Sequence, residues 1–446
     1  MLFAVLLGSL LAGNVLKKSI PLLRVSLIPT SVLGGSVLII VAAIYKAVTG
    51  DVMFDTPLFG SKGTATLEII TYHTLALGFI ASSLKSSGNK LTKKRCEEIF
   101  NTGVTTVSTY LLQGVFGLAI TIVASLVVSN FFSTAGMLLP FGYGQGTGQA
   151  LNYGNIYETQ YGFAGGKSFG LTIAALGFLS ASFGGVIHLN IMKKRGKFSF
   201  SEDKYKLNKE KIEADDEIPM QESIDKMTIQ IALIFVSYVV AYLLMCLLGK
   251  LLPGMKATVY GFNFLLGVLS ATLIKTTMNF LKKKRVIKKE YMNDFLLTRA
   301  SNFFFDIMVV AGIAAIRLDV LQKYWGIMLI LGVVGLVITY IYNRMIAITL
   351  FKEYPEEQFL AMYGMLTGTA STGIILLREV DCDFKTPAAD NLVYQNFPAI
   401  AFGFPLMLLA SLAPVKPVLT LIIMFVFFII MNVILFRKQL FGKKGN

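Results

Sequence analysis

The sequence predicts an all-α polytopic membrane protein, on three observations. Hydrophobic residues make up 54% of the 446 residues, charged residues only 15%, and mean hydropathy is +0.66. A soluble chain of this length would carry about 25% charged residues. The apolar residues arrive in blocks of about 20, the length of a helix that crosses a bilayer. Lys and Arg fall unevenly between those blocks, as they do in a chain with one cytoplasmic side. A disordered chain, a coiled coil and an ordinary cytosolic enzyme are excluded. Outer-membrane barrel strands alternate in segments of about 10 residues, which excludes that class too.

About eleven spans are expected: 1–16, 27–48, 64–84, 100–128, 166–192, 227–250, 257–274, 299–316, 324–350, 392–411 and 417–436. The first block runs into Lys17-Lys18 without a small-residue cleavage site, so it reads as a first spanning helix and not a removable signal. Residues 131–160 and 357–390 are partly apolar but interrupted by Gly, Thr, Ser, Asn and Pro. They read as broken segments. Residues 193–226 hold 18 charged residues, nine of each sign, and read as a solvated cytoplasmic loop. Three scattered cysteines (Cys96, Cys246, Cys382) supply neither a metal site nor a disulfide framework.

Charge sets the topology. With the N-terminus outside and each broken segment returning to the side it left, the inside stretches carry 31 Lys and Arg and the outside stretches 8. Omitting the loop 193–226 leaves 22 against 8. If either broken segment crossed the membrane, every later loop would change sides and the bias would vanish. Both are therefore expected to be re-entrant. The net charge of +15, including the run Lys282-Lys283-Lys284-Arg285, is read as cytoplasmic anchoring and not as nucleic-acid binding.

The two halves resemble each other. Gly142…Gln145-Gly146-Thr147 aligns with Gly364…Thr367-Gly368-Thr369 at an offset of 222. Ala76-Leu77-Gly78-Phe79-Ile80-Ala81 aligns with Val310-Ala311-Gly312-Ile313-Ala314-Ala315 at 234. Each half reads as four helices, a broken segment and a fifth helix, and the halves begin on opposite sides. The expected organisation is a first membrane repeat (1–192, re-entrant segment 131–160) and the loop 193–226. A second, inverted repeat (227–411, re-entrant segment 357–390) follows, then a C-terminal helix and basic tail (412–446). Inverted repeats with matching broken segments point to a secondary transporter.

Broken helices carry the chemistry. Unpaired backbone at membrane depth survives only where it is buried in protein or lines a polar cavity. Glycine allows positive φ and close backbone approach, and the run 142–148 has four. An unwound tip leading into a half-helix offers free N–H groups to a carboxylate, while freed carbonyls and Thr hydroxyls suit Na⁺. The candidate substrate-binding residues are Gly144, Gln145, Gly146, Thr147, Gly148, Gly368, Thr369, Ser371, Thr372 and Arg378. Candidate Na⁺ ligands are Thr147, Thr369 and Asp306. Asp306 has a second reading, a near-interface partner of Arg299. Arg378 could equally face the cytoplasm. Glu68 reads as interfacial, and His73 and Gln113 as helix-packing partners. No nucleophile–base pair or metal cluster supports an enzyme, and the asymmetric repeats do not suit a channel.

These residues carry a resemblance to the bacterial sodium/glutamate symporter family. It rests on Ile28-Pro29-Thr30-Ser31-Val32-Leu33-Gly34-Gly35, Gly144-Gln145-Gly146-Thr147-Gly148-Gln149-Ala150, Tyr161-Gly162-Phe163 and Gly364…Gly368-Thr369-Ala370-Ser371-Thr372. The resemblance implies two inverted five-helix repeats, each with a re-entrant loop, in a bacterial inner membrane, and import of glutamate with Na⁺. No cofactor is implied beyond the coupling ion. Glutamate, Na⁺ and the bilayer are the implied partners, and a homodimer is left open. The chain departs from the family pattern at Gln145 (usually His), Leu366 (usually Gly) and Ser371 (usually Pro). A citrate or dicarboxylate symporter of the same architecture is the alternative.

Overall fold

A computed structural model describes residues 1–21, 23, 28–85, 92–195, 224–251, 256–261, 263–287, 289–381 and 385–441. Most of the charged loop, 196–223, and Cys382 therefore lie outside the described residues. In chain order the principal helices begin with α1 (Leu2–Ser19), α2 (Thr30–Thr49), α3 (Gly63–Leu84) and α4 (Lys93–Val127). Next come α5 (Leu138–Tyr161), α6 (Gly166–Lys194), α7 (Lys226–Leu251) and α8 (Asn263–Lys283). Then follow α9 (Asp294–Ala314), α10 (Leu318–Leu350), α11 (Pro355–Thr367) and α12 (Ala370–Arg378). The last two are α13 (Asn396–Leu412) and α14 (Pro417–Leu435).

Ten helices among the described residues are long and apolar enough to cross a membrane. They match ten of the eleven expected spans. The remaining one, expected at 392–411, appears as α13, a helix of 17 residues with Pro405 inside it. It is shortened because the chain forms a separate short helix at Ala388–Tyr394 and turns at Gln395.

The chain divides into two units. The first comprises Met1–Glu68, Leu91–Phe200 and Val309–Asn446. Here α1 and α2 cross where a Cβ on Gly13 would lie 2.7 Å from the Gly34 nitrogen, the small-residue approach that membrane helices use when no hydrophobic force separates protein from lipid. Helix α4 is capped by the Thr92 hydroxyl, which accepts from the Arg95 amide. It carries a buried polar stripe of Thr102, Thr105, Thr106, Ser108, Thr109 and Gln113. Most of these hydroxyls donate to a carbonyl one turn back, as with Thr105 to Asn101 (2.7 Å) and Thr109 to Thr105 (2.8 Å).

The second unit comprises Ile69–Lys90 and Ser201–Met308. Its core gathers Leu77, Ile80, Ala81 and Leu84 with Ile234, Ala271, Leu297 and Phe304. The Ser301 hydroxyl donates to the Gly78 carbonyl (3.0 Å), and Gln230 ties α7 to the Tyr291 carbonyl (2.7 Å). His73 is exposed and meets the Tyr238 hydroxyl. Asp306 lies half-buried on α9 in this unit.

Candidate functional site

Helix α5 is interrupted at Gly146, where φ is +78° and ψ −171°. A residue with a Cβ meets severe strain there, and glycine does not. The interruption reverses the chain. Twelve residues of continuous helix would separate Phe141 from Tyr153 by about 18 Å, yet their rings stack with centroids 4.0 Å apart. The arms 138–145 and 147–161 therefore fold back on each other as a hairpin with Gly146 at its tip.

The second break repeats this design. Helix α11 stops at Thr367, Gly368 takes φ −148° and ψ −105°, Thr369 is extended, and α12 begins at Ala370. The arms lie against each other. A Cβ on Gly364 would be 2.7 Å from the Gly373 Cα, and one on Gly373 would be 2.4 Å from the Ala361 carbonyl oxygen. The tips, Gly146-Thr147 and Gly368-Thr369, stand at the offset of 222 read from the sequence.

Both tips are held by the same two helices. On α4, the Tyr110 hydroxyl donates to the Gly144 carbonyl (2.9 Å), and one turn later Gln113 Nε2 donates to the Leu366 carbonyl (2.9 Å). Both carbonyls belong to residues just before a break, where the helix supplies no partner. On α6, a Cβ at Gly177 would lie 2.6 Å from the Thr367 carbonyl oxygen and 3.2 Å from the Tyr143 ring. At Gly177, therefore, both hairpins pack against the same point of α6.

Of the sequence-predicted site residues, Gly144, Gly146, Thr147 and Gly148 are buried at the first tip, and Gln145 is half-buried. Thr147 also packs against α9, where a Cβ on Gly312 would come within 2.7 Å of it. At the second tip Gly368 and Thr372 are buried and Thr369 is half-buried; the two threonine hydroxyls lie 3.4 Å apart. Ser371 sits in the first turn of α12, and its side chain lies outside the described residues. Arg378 is exposed at the far end of α12, about 14 Å of helix from the tip. Glu68 pairs with Lys167 at 2.9 Å, away from both tips.

Three polar residues at or near the tips were not expected, Tyr110, Gln149 and Asn343, and Gln113, expected as a helix-packing partner, also reaches a tip. Tyr110 and Gln113 hold the hairpins from α4. Gln149 lies in the first turn after the first tip, 1% exposed. Its carbonyl oxygen accepts from Asn152 Nδ2 (3.1 Å), and its Nε2 has no acceptor. Asn343 on α10 is fully buried, donates to the Thr339 carbonyl (2.9 Å), and its Oδ1 has no donor. Gln113 was visible in the sequence as a polar residue within an apolar helix, and Tyr110 was not singled out. Gln149 and Asn343 carried no periodic signal.

Paired helical hairpins, each broken at a Gly-Thr and buried within a multi-pass helical membrane protein, define the class of secondary transporters. The sodium/glutamate symporter family matches residues 1–381, and the chain belongs to that family. It is thus a Na⁺-coupled glutamate symporter. The match ends inside the second broken segment, leaving α13 and α14 beyond it. No curated protein matches the chain.

Proposed function

We propose that the two tips together hold glutamate and Na⁺, and that the protein moves them by alternating access. The observation that carries this is the pair of tips fixed at one level of α4 and close to Gly177 on α6. At the first tip, the arm 147–161 begins a new helical run after Gly146, with its positive dipole end at the tip. Gln149 Nε2 adds a buried donor with no acceptor. A buried donor of this kind suits a carboxylate of the substrate. At the second tip, freed carbonyls and the hydroxyls of Thr369 and Thr372 suit a hard cation, and Thr147 offers the same from the first. Arg378 would attract the anion toward the protein and not touch it at the tip.

The hairpin form of both segments supports the re-entrant reading, and the shared offset supports inverted repeats at 1–192 and 227–411. The 31-to-8 charge split supports a bacterial plasma membrane protein with its N-terminus outside and its C-terminus cytoplasmic. Coupling two or more Na⁺ to one glutamate would move net positive charge inward and gain about 2.3 kcal/mol per charge at 100 mV.

The test is radiolabelled glutamate uptake into proteoliposomes under an imposed Na⁺ gradient, against an equal K⁺ gradient. Accumulation only with Na⁺, lost in Gly146→Trp, is the expected result. Equal uptake in K⁺, or none by folded protein, overturns the reading.

A further inference from the structure

We propose that the side-chain oxygens of Gln113 and Asn343 are ligands of a Na⁺ site between α4 and α10, beside the second tip and separate from the threonines of the tips. The proposal rests on the Na⁺-coupled reading above and gives one coupling ion a place.

The two helices run antiparallel here. Ser108 meets Tyr342 (2.6 Å), Thr109 meets Asn343 (3.4 Å) and Gln113 meets Thr339 (2.9 Å). Each amide is oriented by its nitrogen. Gln113 Nε2 donates to Thr339 Oγ1 and to the Leu366 carbonyl, both at 2.9 Å. Asn343 Nδ2 donates to the Thr339 carbonyl (2.9 Å) and to Thr109 Oγ1 (3.4 Å). A carbonyl acceptor can face only the NH₂ end of an amide, so the oxygen ends are fixed by exclusion. Both nitrogens converge on Thr339, and both oxygens are left over.

Both residues are 0% exposed, and neither Gln113 Oε1 nor Asn343 Oδ1 has a hydrogen-bond donor. The nearest hydroxyls do not supply one. Thr109 gives its proton to the Thr105 carbonyl, and the Thr339 hydroxyl, which accepts from Gln113, makes no hydrogen bond to either oxygen. Two buried acceptors without donors form a locally negative place that a cation relieves and an anion does not. The groups bonded to the two amide nitrogens, Thr109 Oγ1, Thr339 Oγ1 and the carbonyls of Thr339 and Leu366, are neutral hydroxyls and backbone groups, and the two unpaired amide oxygens are neutral as well. A hard cation takes oxygen ligands of this kind. The orphaned group at the first tip, Gln149 Nε2, is a donor.

The placement also couples ion to tip. A cation on Gln113 Oε1 polarises the amide and strengthens the bond from Nε2 to the Leu366 carbonyl, the last turn before the second break. Ion binding at this seam would order the tip.

The experiment measures ²²Na⁺ binding to the purified full-length protein without glutamate, and the Na⁺ half-saturation of glutamate uptake in proteoliposomes. Gln113→Met and Asn343→Leu keep side-chain bulk and remove the whole amide, the oxygen together with the nitrogen donors to Leu366, Thr339 and Thr109. Thr339→Val is a milder third variant for the case that either fails to fold. Thr420→Val, at a fully buried hydroxyl on α14 that also lacks a partner, is the control. The seam variants are expected to raise the Na⁺ half-saturation at least tenfold; in Asn343→Leu, which keeps the Gln113 bond to the Leu366 carbonyl, the glutamate half-saturation at saturating Na⁺ is expected within twofold of wild type. The control is expected to match wild type. Folded seam variants with unchanged Na⁺ half-saturation would mean that water alone meets these oxygens; the inference then falls and the symporter reading stands. Na⁺-independent uptake by wild type would sink the symporter reading instead. The ²²Na⁺ arm then decides alone: binding lost in the seam variants supports the site, and no binding to wild type overturns it.

Discussion

Replacing Gly146 by alanine adds one methyl group at the position where α5 reverses. The backbone there has φ +78° and ψ −171°, and a non-glycine residue held in such a region costs on the order of 1–3 kcal/mol. Alanine also favours continuous helix over glycine by about 1 kcal/mol. The two effects act together against the hairpin, by about 2–4 kcal/mol. At 1.4 kcal/mol per tenfold, its population falls by roughly 30- to 1,000-fold relative to a straightened α5. A straightened α5 separates the Phe141 and Tyr153 rings and carries Gly144 away from Tyr110. The assay is Na⁺-driven glutamate uptake, with melting temperature measured on the same preparation. Uptake should fall at least tenfold. Gly8→Ala, on α1 with nothing within 4 Å of the added carbon, should transport like wild type. If Gly146→Ala transports within twofold of wild type at an unchanged melting temperature, the hairpin is not strained and the argument from the tip fails.

Three further predictions follow from the same geometry. Tyr110→Phe leaves the buried Gly144 carbonyl without its donor, a loss of about 1–3 kcal/mol, so uptake should drop roughly tenfold while the expressed protein still reaches the membrane. Gly177→Ala sets a methyl 2.6 Å from the Thr367 oxygen. A backbone carbonyl gives way only if the hairpin shifts, so uptake should be lost and the melting temperature lowered. Arg344→Met removes the partner that grips both oxygens of Glu356 (2.5 and 2.8 Å) where α11 begins, leaving His188 as its hydrogen-bonded neighbour (2.8 Å). Breaking such a partly buried pair costs up to about 3–5 kcal/mol, so folded yield should collapse, and Arg344→Met with Glu356→Gln should recover more of it than Arg344→Met alone.

The spans were legible because lipid enforces one rule on every helix, about 20 apolar residues without charge, and that rule is local. Both breaks were legible because glycine and threonine replace leucine there, and the repeat fixed which glycine mattered. α13 was read longer than it is, since Gln395 looks like any polar residue until the chain is seen to turn at it. The partners of the tips were harder. Gln113 read as a helix-packing residue, and it is one. Its second role depends on the Leu366 carbonyl, 253 residues away, and no spacing encodes that. Gln149 and Asn343 are informative through what their amides fail to meet, which only the folded chain specifies. Arg378 drew attention by charge alone, and α12 carries it out to an exposed end.

The two tips are tied to α4 by bonds only one turn apart, and on the proposal of alternating access this constrains which elements move within the first unit. Opening one tip alone would break either the Tyr110 bond to Gly144 or the Gln113 bond to Leu366, and would leave a buried carbonyl unpaired. A motion that carries both hairpins with α4 breaks neither. The physical cost therefore favours the tips, α4 and the seam to α10 moving as one body, with substrate and ion travelling together. Under that scheme Tyr110→Phe and Gln113→Met act on the same rigid element, and their effects on uptake should fall short of additive by more than 0.5 kcal/mol. Independent gates would give additive effects, and that outcome would assign each tip its own opening.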